Sequence, residues 1–256
     1  MGALRNAVSV PDAPSAFEYT VKSTTNNTPY VVALGPQRER RRASPLFETR
    51  RSCIPRGLWG QVVPVAFQAE RACTLPVEFF VDDVRVVADP TCDSVPALAN
   101  ADFEGVGIDD QWLVTQRAGQ AFVQTVTRSG NQALALARST RCDVIEASAA
   151  IDIPRPQSGG LSLRFVTAGP VADSRAAVSI GTAMHRASLV LSGITSETPA
   201  LRSLCISPES FGGLVELTLR HDRVGGDDDC ASSSFTQITF DDFEVVPDAG
   251  CPGETP

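Results

Sequence analysis

Apolar and polar residues alternate along short stretches of the chain, which is the pattern of β-strands with one buried face. The runs "QALALA" (132–137), "LSLRF" (161–165) and "VELTL" (215–219) show it most clearly. Clusters of glycine, proline, aspartate and serine separate such runs, as turns between strands would. No window carries an apolar stripe with the 3.6-residue spacing of a helix over three turns. The pattern therefore predicts an all-β fold of antiparallel strands.

Two of the strand-like stretches resemble each other. "EFFVDDVRVVADPTC" (78–92) and "ITFDDFEVVPDAGC" (238–251) both carry two aspartates inside an apolar run that ends in a turn and a cysteine. Aligning the aspartates also aligns Cys92 with Cys251, and Cys53 matches Cys205 further upstream. A repeat of about 160 residues predicts two tandem modules.

The two copies are unequal, because the second has about 60 residues with no counterpart in the first. Residues 1–90 are predicted to be the C-terminal part of a truncated module, and 91–97 a linker. Residues 98–247 would form a complete module, and 248–256 a tail or the start of a next repeat. We expect the sequence to be part of a longer array, with neighbouring repeats of the same chain as partners.

Each module is predicted to be an antiparallel β-sandwich of the jelly-roll type, with about eight strands in the complete copy. A pair of immunoglobulin-like sandwiches is the alternative architecture. A repeat of about 160 residues is long for that fold.

The apolar alternation changes phase at each aspartate pair. Val81 before the first pair and Val84 after it both fall on the inward face, and the same shift occurs around Asp241 and Asp242. Side chains of a regular strand alternate strictly, so a β-bulge is predicted at each pair. A carboxylate turned towards a core is costly unless it is hydrogen-bonded or binds a cation. The pairs are therefore candidate sites for calcium, which prefers oxygen ligands.

The seven cysteines include no C-x-x-C pair and no clustered histidine, which argues against a zinc site. The simplest pairing joins neighbours along the chain and leaves Cys251 for a cysteine of a further module. The predicted disulfides are Cys53–Cys73, Cys92–Cys142 and Cys205–Cys230. Such bridges form in oxidising compartments, so we expect a secreted or cell-surface protein, although no signal-peptide pattern is visible. Reduced, buried cysteines are the alternative.

Net charge excludes some partners. The formal charge of −8 and the pI of about 4.8 argue against nucleic acid and against an anionic membrane surface. The one basic run, "RERRR" (38–42), is predicted to be a solvated loop. No apolar run approaches the length of a membrane span.

Three short motifs carry a resemblance to a known family. "LANADFEGVGIDDQWLV" (98–114), "SGNQALAL" (129–136) and "FDDFEVV" (240–246) resemble the CenC-like carbohydrate-binding modules in order and spacing. That family shows N-G-x-F-E, a tryptophan some eight residues later, S-G-x-x-S/A-L and a final F-x-D-D-V strand. The resemblance covers residues 97–247, and 1–89 for the latter half of a second copy.

The resemblance implies a galactose-binding-like jelly roll with structural calcium where the first and last strands meet. Its ligands would be Glu104 with Asp241 or Asp242, helped by a backbone carbonyl near Asn131. The first copy lacks an F-E segment, so its site is expected to be incomplete. The alternative is that the aspartates are only hydrogen-bonded at a bulge. In the family pattern the residue matching Trp112 is a core position.

The function implied is a non-catalytic extracellular module pair that binds a polysaccharide or cell-surface glycan. Glycan-binding members use exposed aromatic residues, but only 6% of this chain is aromatic, and Phe122, Phe165 and Phe211 are predicted to be buried. No ligand-binding residue is therefore assigned. The alternative is a structural or adhesive spacer without a specific glycan. An enzyme is disfavoured, because no nucleophile, metalloprotease or phosphate-loop motif is present.

Overall fold

The computed structural model describes residues 3–69, 78–94, 97–98, 101–104, 112–128, 130–140, 142–169, 175–191, 198–222 and 233–254. These residues form antiparallel strands and three short 3₁₀ helices, Arg56–Leu58, Pro90–Ser94 and Pro208–Ser210, so the predicted all-β fold class is confirmed. None of the helices among them is long and apolar enough to cross a membrane. The strands are β1 (Ala3–Ser9), β2 (Ser15–Ser23), β3 (Thr28–Leu34), β4 (Gln37–Ala43), β5 (Glu48–Cys53), β6 (Val62–Ala69), β7 (Phe79–Ala88), β8 (Leu113–Ala118), β9 (Phe122–Arg128), β10 (Asn131–Thr140), β11 (Val144–Asp152), β12 (Gly160–Ala168), β13 (Arg175–Gly181), β14 (Arg186–Leu191), β15 (Ala200–Cys205), β16 (Leu214–Asp222) and β17 (Ser233–Asp248).

The chain divides into two compact units. The first comprises residues 1–97 with 109–111, and the second comprises 98–108 with 112–256. The change from one unit to the other at residues 97 and 98 coincides with the predicted start of the complete module. Each unit has its own sheets and its own core.

The second unit is a sandwich of two five-stranded sheets. One sheet has the order β15-β12-β17-β10-β9 and the other the order β14-β13-β16-β11-β8. From β10 to β13 each strand crosses to the other sheet, as in a jelly roll. The inward residues of both sheets form one core, because the period-2 pattern places every second side chain inside. Leu134 and Leu136 of β10, Phe165 of β12 and Leu217 and Leu219 of β16 are fully buried there.

The first unit repeats seven of these strands in the same order. Its four-stranded sheet is β1-β6-β3-β4 and its three-stranded sheet is β5-β2-β7. These correspond to β11-β16-β13-β14 and to β15-β12-β17 of the second unit. Phe17, Tyr19 and Phe67 pack their rings together between the sheets, and the Tyr19 hydroxyl contacts the Tyr30 hydroxyl at 3.0 Å. The described residues of the first unit contain no strand equivalent to β8, β9 or β10.

The disulfides differ from the predicted ones. Cys53 bonds to Cys92 and Cys205 bonds to Cys251, while Cys142 is also disulfide-bonded. The predicted Cys53–Cys73, Cys92–Cys142 and Cys205–Cys230 pairs are therefore wrong, as is the expectation that Cys251 waits for a further module. Cys73 and Cys230 lie outside the described residues.

The observed bridges follow from sheet order. In the first unit β2 lies between β5 and β7, so Cys53 at the end of β5 and Cys92 just after β7 reach each other across the end of β2. In the second unit β12 lies between β15 and β17 in the same way, and the bridge joins Cys205 to Cys251. The pairing therefore joins the two strands that flank the same central strand of the sheet, and not cysteines that follow each other along the chain.

The same bridges show to which unit the residues predicted as a linker and as a tail belong. Cys92 lies in the 3₁₀ helix Pro90–Ser94 and is tied to β5, so the residues predicted as a linker belong to the first unit. After β17, Cys251 is tied to β15, and Gly253 forms a bridge pair with Gly160. The described part of the predicted tail, up to Glu254, is thus packed onto the second unit.

The basic run was predicted to be a loop, and that is wrong, since it forms strand β4 at a sheet edge. Strand alternation turns Glu39 inward, where it accepts hydrogen bonds from Arg41 and Ser52. Arg38, Arg40 and Arg42 then fall on the other face. A charged edge strand discourages pairing with other sheets, which gives the run a structural role.

Candidate functional site

A β-bulge lies at each aspartate pair, as the sequence predicted. In the first unit the register between β2 and β7 shifts at Tyr19, and in the second the register between β12 and β17 shifts at Phe165. Asp83 and Asp242 each adopt a left-handed conformation with φ of 52°. Aspartate tolerates this region better than most residues. In both bulges the preceding aspartate, Asp82 or Asp241, accepts the backbone N–H of its neighbour at 2.8 Å.

In the second unit a short segment, Ala101–Glu104, packs against this bulge. The N–H of Phe243 donates to the carbonyl of Ala101 at 3.1 Å, and the Glu104 carboxylate accepts the N–H of Gln132 at the start of β10. Phe103 is left-handed and fully buried, so its ring enters the core while Glu104 stays outside. The segment thus brings Glu104 to the place where β10 and β17 meet.

This arrangement shifts the pKa of the bulge carboxylate Asp241. Partial burial raises its pKa to about 6, and the like charges of Asp242, Glu104 and Asp102 raise it as well. No arginine or lysine in the described ranges forms an ion pair with Asp241. We call Asp102, Glu104, Asp241 and Asp242 the acidic cluster.

The acidic cluster only partly matches the ligand set expected for calcium. All its donors are oxygens, which suits a hard cation. Yet no three His, Cys, Asp or Glu side chains within the described part of the chain are gathered into one metal-ligand group. Asn131 lies beside Gln132 at the start of β10, next to Glu104. In the first unit Asp82 and Asp83 lie at the equivalent bulge, and no segment equivalent to Ala101–Glu104 accompanies them there among the described residues.

Trp112 lies in the core, as the family pattern implied. It is almost fully buried and packs between Phe103 and Phe243, with ring centroids at 5.5 and 5.7 Å. Phe165 and Phe211 are buried too, as predicted. These aromatic rings stabilise the sandwich and offer no surface for a ligand.

A second feature lies on the outer face of the sheet β15-β12-β17-β10-β9. The outward residues of β10 are Ala133, Ala135 and Ala137, and they are at most 2% exposed although they point away from the core. Larger side chains on β9 and β17 flank this row of alanines, so the alanines form the floor of the surface between those two strands. We call the whole surface the alanine-floored face.

Two pairs of side chains face each other across that floor. Phe122 of β9 lies opposite Ala137, and its ring contacts the ring of Phe235 of β17, with ring centroids 6.3 Å apart and planes inclined by 31°. Gln124 of β9 lies opposite Ala135 and Gln237 of β17 lies opposite Ala137, and the amide N–H of Gln124 donates to the side-chain oxygen of Gln237 at 3.4 Å. Both contacts run diagonally across β10, which lies between β9 and β17 and is hydrogen-bonded to each.

Sequence reasoning missed this surface. Phe122 was predicted to be buried, but it is only half-buried and lies on the outer face. Phe235, with 61% of its surface exposed, was not singled out. The signal was present in "FTQITF" (235–240), where Ile238 and Phe240 point inward and Phe235 therefore points outward.

The outer face of the other sheet has a different character. Arg186 pairs with Glu216 at 2.6 Å, and Arg220 pairs with Glu146 at 3.3 Å and with Asp222 at 3.1 Å. Its five strands contain no phenylalanine, tyrosine or tryptophan. Five charged side chains of this face are held in these ion pairs, whereas the alanine-floored face presents aromatic and amide groups.

The sequence matches no family model, and no curated protein matches it. Among solved structures, a carbohydrate-binding module named TmCBM61, in complex with β-1,4-galactotriose, aligns with 60% of this chain and 100% of its own at a TM-score of 0.45 and 16% identity. The tandem CBM22-1–CBM22-2 domain of Paenibacillus barcinonensis Xyn10C aligns with 94% of this chain and 82% of its own, at a TM-score of 0.36 and 13% identity. The family 11 module of Clostridium thermocellum, in complex with a β-1,3-1,4-mixed-linked tetrasaccharide, aligns with 60% of this chain and 95% of its own, at a TM-score of 0.40 and 9% identity. The likeness concerns the fold.

Proposed function

We propose that this chain is a non-catalytic, extracellular pair of binding modules whose second unit binds a polysaccharide or cell-surface glycan on the alanine-floored face. The observation that carries the proposal is the partly exposed pair Phe122 and Phe235 across the alanine floor. Pyranose rings present an apolar C–H face, which packs on an aromatic ring as other apolar groups do.

The glutamine pair supplies the polar half of such a site. Each amide offers two N–H donors and one carbonyl acceptor, so Gln124 and Gln237 match the hydroxyl groups at the edge of a sugar. A few directed polar groups beside an apolar platform is the composition of small-ligand sites in general. The ligand would lie on Phe122, Phe235 and the two glutamines, whose side chains cover the alanine floor.

Binding rather than catalysis is favoured by the same side chains. Phenylalanine and glutamine do not titrate near neutral pH, so the four of them cannot act as general acid or base. The disulfides Cys53–Cys92 and Cys205–Cys251 support an oxidising, extracellular location.

The test is binding of the full chain to a glycan array, followed by calorimetric titration of every hit. First probes are β-1,4-galactotriose and the mixed-linked tetrasaccharide, which two of the similar modules bind in their structures. Phe235→Ala and Gln237→Ala are expected to weaken binding about ten-fold or more, which corresponds to about 1.4 kcal/mol. Met184→Ala is the control, since it removes another exposed apolar side chain outside the alanine-floored face.

Absence of binding across the array would contradict the glycan proposal. Binding that survives both Phe235→Ala and Gln237→Ala would place the ligand elsewhere. The spacer alternative draws support from the low aromatic content, 6% of the chain. It would be excluded if one soluble oligosaccharide raised the melting temperature at submillimolar concentration.

We further propose that calcium binds at the acidic cluster, held by Glu104 and by Asp241 or Asp242 together with a backbone carbonyl near Asn131. The cation would offset the crowding of carboxylates that raises the pKa of Asp241. Its role would be structural, joining the Ala101–Glu104 segment to the bulge. Calorimetry with calcium and with a chelator tests this, and an unchanged melting temperature would contradict it.

A further inference from the structure

The outer face of the sheet β5-β2-β7 in the first unit carries two aromatic rings around one ammonium group. Tyr19 and Val21 of β2 are buried in the core, so strand alternation turns Lys22 to the outer face. Phe80 of β7 lies opposite Lys22 on one side. On the other side, Phe47 directly precedes β5, whose first residue lies opposite Val21. We call Phe47, Lys22 and Phe80 the lysine–phenylalanine row.

Both rings of the row contact the ammonium group. Nζ of Lys22 lies 4.5 Å from the ring centroid of Phe47 and 5.2 Å from that of Phe80. The two rings also reach solvent, since Phe47 is 54% exposed and Phe80 is 41% exposed. A cation over an aromatic ring is attracted by the negative charge of the ring face. The rings thus hold the ammonium group between them at the surface and replace part of its water shell.

The charge of Lys22 has no carboxylate partner. Arg51 and Arg85 point to the same face, where Arg51 pairs with Asp89 at 2.7 Å and Arg85 pairs with Glu18. No aspartate or glutamate in the described part of the first unit forms an ion pair with Lys22. The ammonium group can therefore pair with an anionic group of a ligand.

Hydroxyl groups complete the chemistry of this face. Thr20 of β2 points outward two residues from Lys22 and lies opposite Thr49 of β5. The backbone of β2 is paired with β5 on one side and with β7 on the other, so side chains make the contacts with a ligand above this strand. A sugar that carries a carboxylate offers C–H groups to the rings, an anion to the ammonium group and hydroxyls to the threonines.

The row distinguishes the first unit from the second. The bulge aspartates Asp82 and Asp241 align Lys22 with Ala168 and Phe80 with Thr239, and these two small residues lie opposite each other in β12 and β17. A strand beside β7 would extend the sheet in its own plane, so the row does not depend on what lies next to β7. The first unit therefore presents a cation and aromatic rings at a place where the second unit presents neither.

We propose that the outer face of the sheet β5-β2-β7 binds a saccharide that contains uronic acid. Its carboxylate pairs with the ammonium group of Lys22, and its C–H groups pack on Phe47 and Phe80. The two rings reduce the exposure of this ion pair to water, which strengthens it relative to an ordinary surface pair. The site lies in a different unit from the alanine-floored face and takes a charged ligand, so it does not depend on glycan binding there.

The probe is a linear trimer of galacturonic acid, titrated into the full chain by calorimetry. Calcium-free buffer prevents a cation bound elsewhere from bridging to the carboxylates. The control ligand is the same trimer with each carboxylate reduced to an alcohol, which keeps the sugar rings and removes the charge. We expect the reduced trimer to bind at least about ten-fold more weakly. Added salt should weaken binding of the acidic trimer, because it screens the ion pair.

Two variants of the protein test the row itself. Lys22→Gln removes the charge and Phe47→Ala removes one ring, and each is expected to weaken binding of the acidic trimer about ten-fold or more. Arg38→Gln is the matched control for charge, and Val62→Ala is the control for an exposed apolar side chain. Both control residues are exposed and lie in the other sheet of the first unit, so these variants should keep the affinity of the unchanged protein.

Chemical labelling gives a test that needs no variant. Lys22 is the only lysine of the chain, so an amine-reactive reagent labels Lys22 and the amino terminus alone. A saturating concentration of the acidic trimer should slow labelling of Lys22, measured by mass spectrometry, while the amino terminus reacts at an unchanged rate. This result decides if Lys22→Gln fails to fold. Equal or absent binding of the two trimers, binding that survives both Lys22→Gln and Phe47→Ala, or unchanged labelling of Lys22 would each overturn the proposal.

Discussion

In the acidic cluster, the ionised form of one carboxylate, Asp241, destabilises the folded state. Asp241 accepts the N–H of Asp242, which favours its ionised form, yet partial burial and three neighbouring carboxylates outweigh that hydrogen bond and raise its pKa to about 6. In the unfolded chain an aspartate titrates near its ordinary value of 3.8. The folded state therefore favours the protonated acid.

Stability of the second unit should consequently respond to Asp241 in a pH-dependent way. Because the folded pKa is the higher one, the ionised group costs stability as pH rises from about 4 to about 6. With a chelator present, Asp241→Asn should melt at a higher temperature than the unchanged protein at pH 7 and at the same temperature at pH 4. Thermal unfolding by circular dichroism measures both.

Asp82→Asn is the matched control, because it removes the equivalent bulge carboxylate in the unit without Glu104. Its melting temperature is compared with that of the unchanged protein at the same two pH values. If calcium binds, its addition at pH 7 reverses the order and makes Asp241→Asn the less stable protein. An Asp241→Asn variant that is destabilised at pH 7 even with chelator would contradict the electrostatic account.

The left-handed conformation of Asp242 yields a second prediction at this scale. A side chain with a Cβ pays about 1 kcal/mol there relative to glycine. Asp242→Ala should therefore be less stable than Asp242→Gly by about that amount, although glycine is the poorer residue in an ordinary strand. Urea unfolding of both variants measures the difference, and the reverse order would argue against the bulge geometry.

At the scale of elements, the bulge was predictable and the disulfides were not. The phase change of the apolar pattern at Asp82 and Asp241 is local, so a single strand displays it. A disulfide depends on which strands come to flank the same central strand of a sheet, and the local sequence pattern does not show that. The repeat did align Cys53 with Cys205 and Cys92 with Cys251, and these four cysteines form the two equivalent bridges. The sequence therefore shows which cysteines are equivalent in the two copies, but not which cysteines bond to each other.

Each bridge closes a long loop and should matter for stability. The sequence separations are 39 residues for Cys53–Cys92 and 46 for Cys205–Cys251, for which loop entropy gives about 4 kcal/mol each as an upper value. Replacing either pair by alanine should lower the free energy of unfolding of its own unit by roughly 2–4 kcal/mol. Denaturant unfolding of the two double variants measures this.

Peptide mapping under non-reducing conditions checks the pairing itself. A proteolytic fragment joining Cys205 to Cys251 is expected, together with one joining Cys53 to Cys92. A fragment joining Cys205 to Cys230 would contradict the bridge across β12. Loss of stability in both units from one double variant would contradict the assignment of one bridge to each.

At the scale of the whole molecule, the two units share a strand order but differ in what they bury. The first buries two tyrosines, Tyr19 and Tyr30, whereas the second buries Arg138 and His221. The apolar repeat predicted two related modules, because alternation survives substitution of one apolar residue by another. It could not predict the outward Phe122 and Phe235 as a pair, because their meeting depends on the register of β9 and β17 against β10.

The buried histidine gives the second unit a distinct response to acid. Nδ1 of His221 lies 3.0 Å from the carbonyl of Leu136, and burial together with the charge of Arg138 lowers its pKa to about 4. Its folded pKa is thus below the ordinary value of 6.5, so the neutral form is favoured by folding. The stability present above pH 6.5 is lost as the pH falls towards 4, by about 2 kcal/mol at pH 5.

Asp241 acts in the opposite direction over part of this window, but it is more exposed to solvent, so the histidine should dominate. Both histidines of the chain lie in the second unit. Calorimetry at pH 7 and pH 5 should therefore show the transition of the second unit moving to lower temperature. His221→Gln should flatten that dependence, whereas His185→Gln, at an exposed position, should leave it unchanged. Equal acid sensitivity of His221→Gln and the unchanged protein would show that the buried histidine does not govern it.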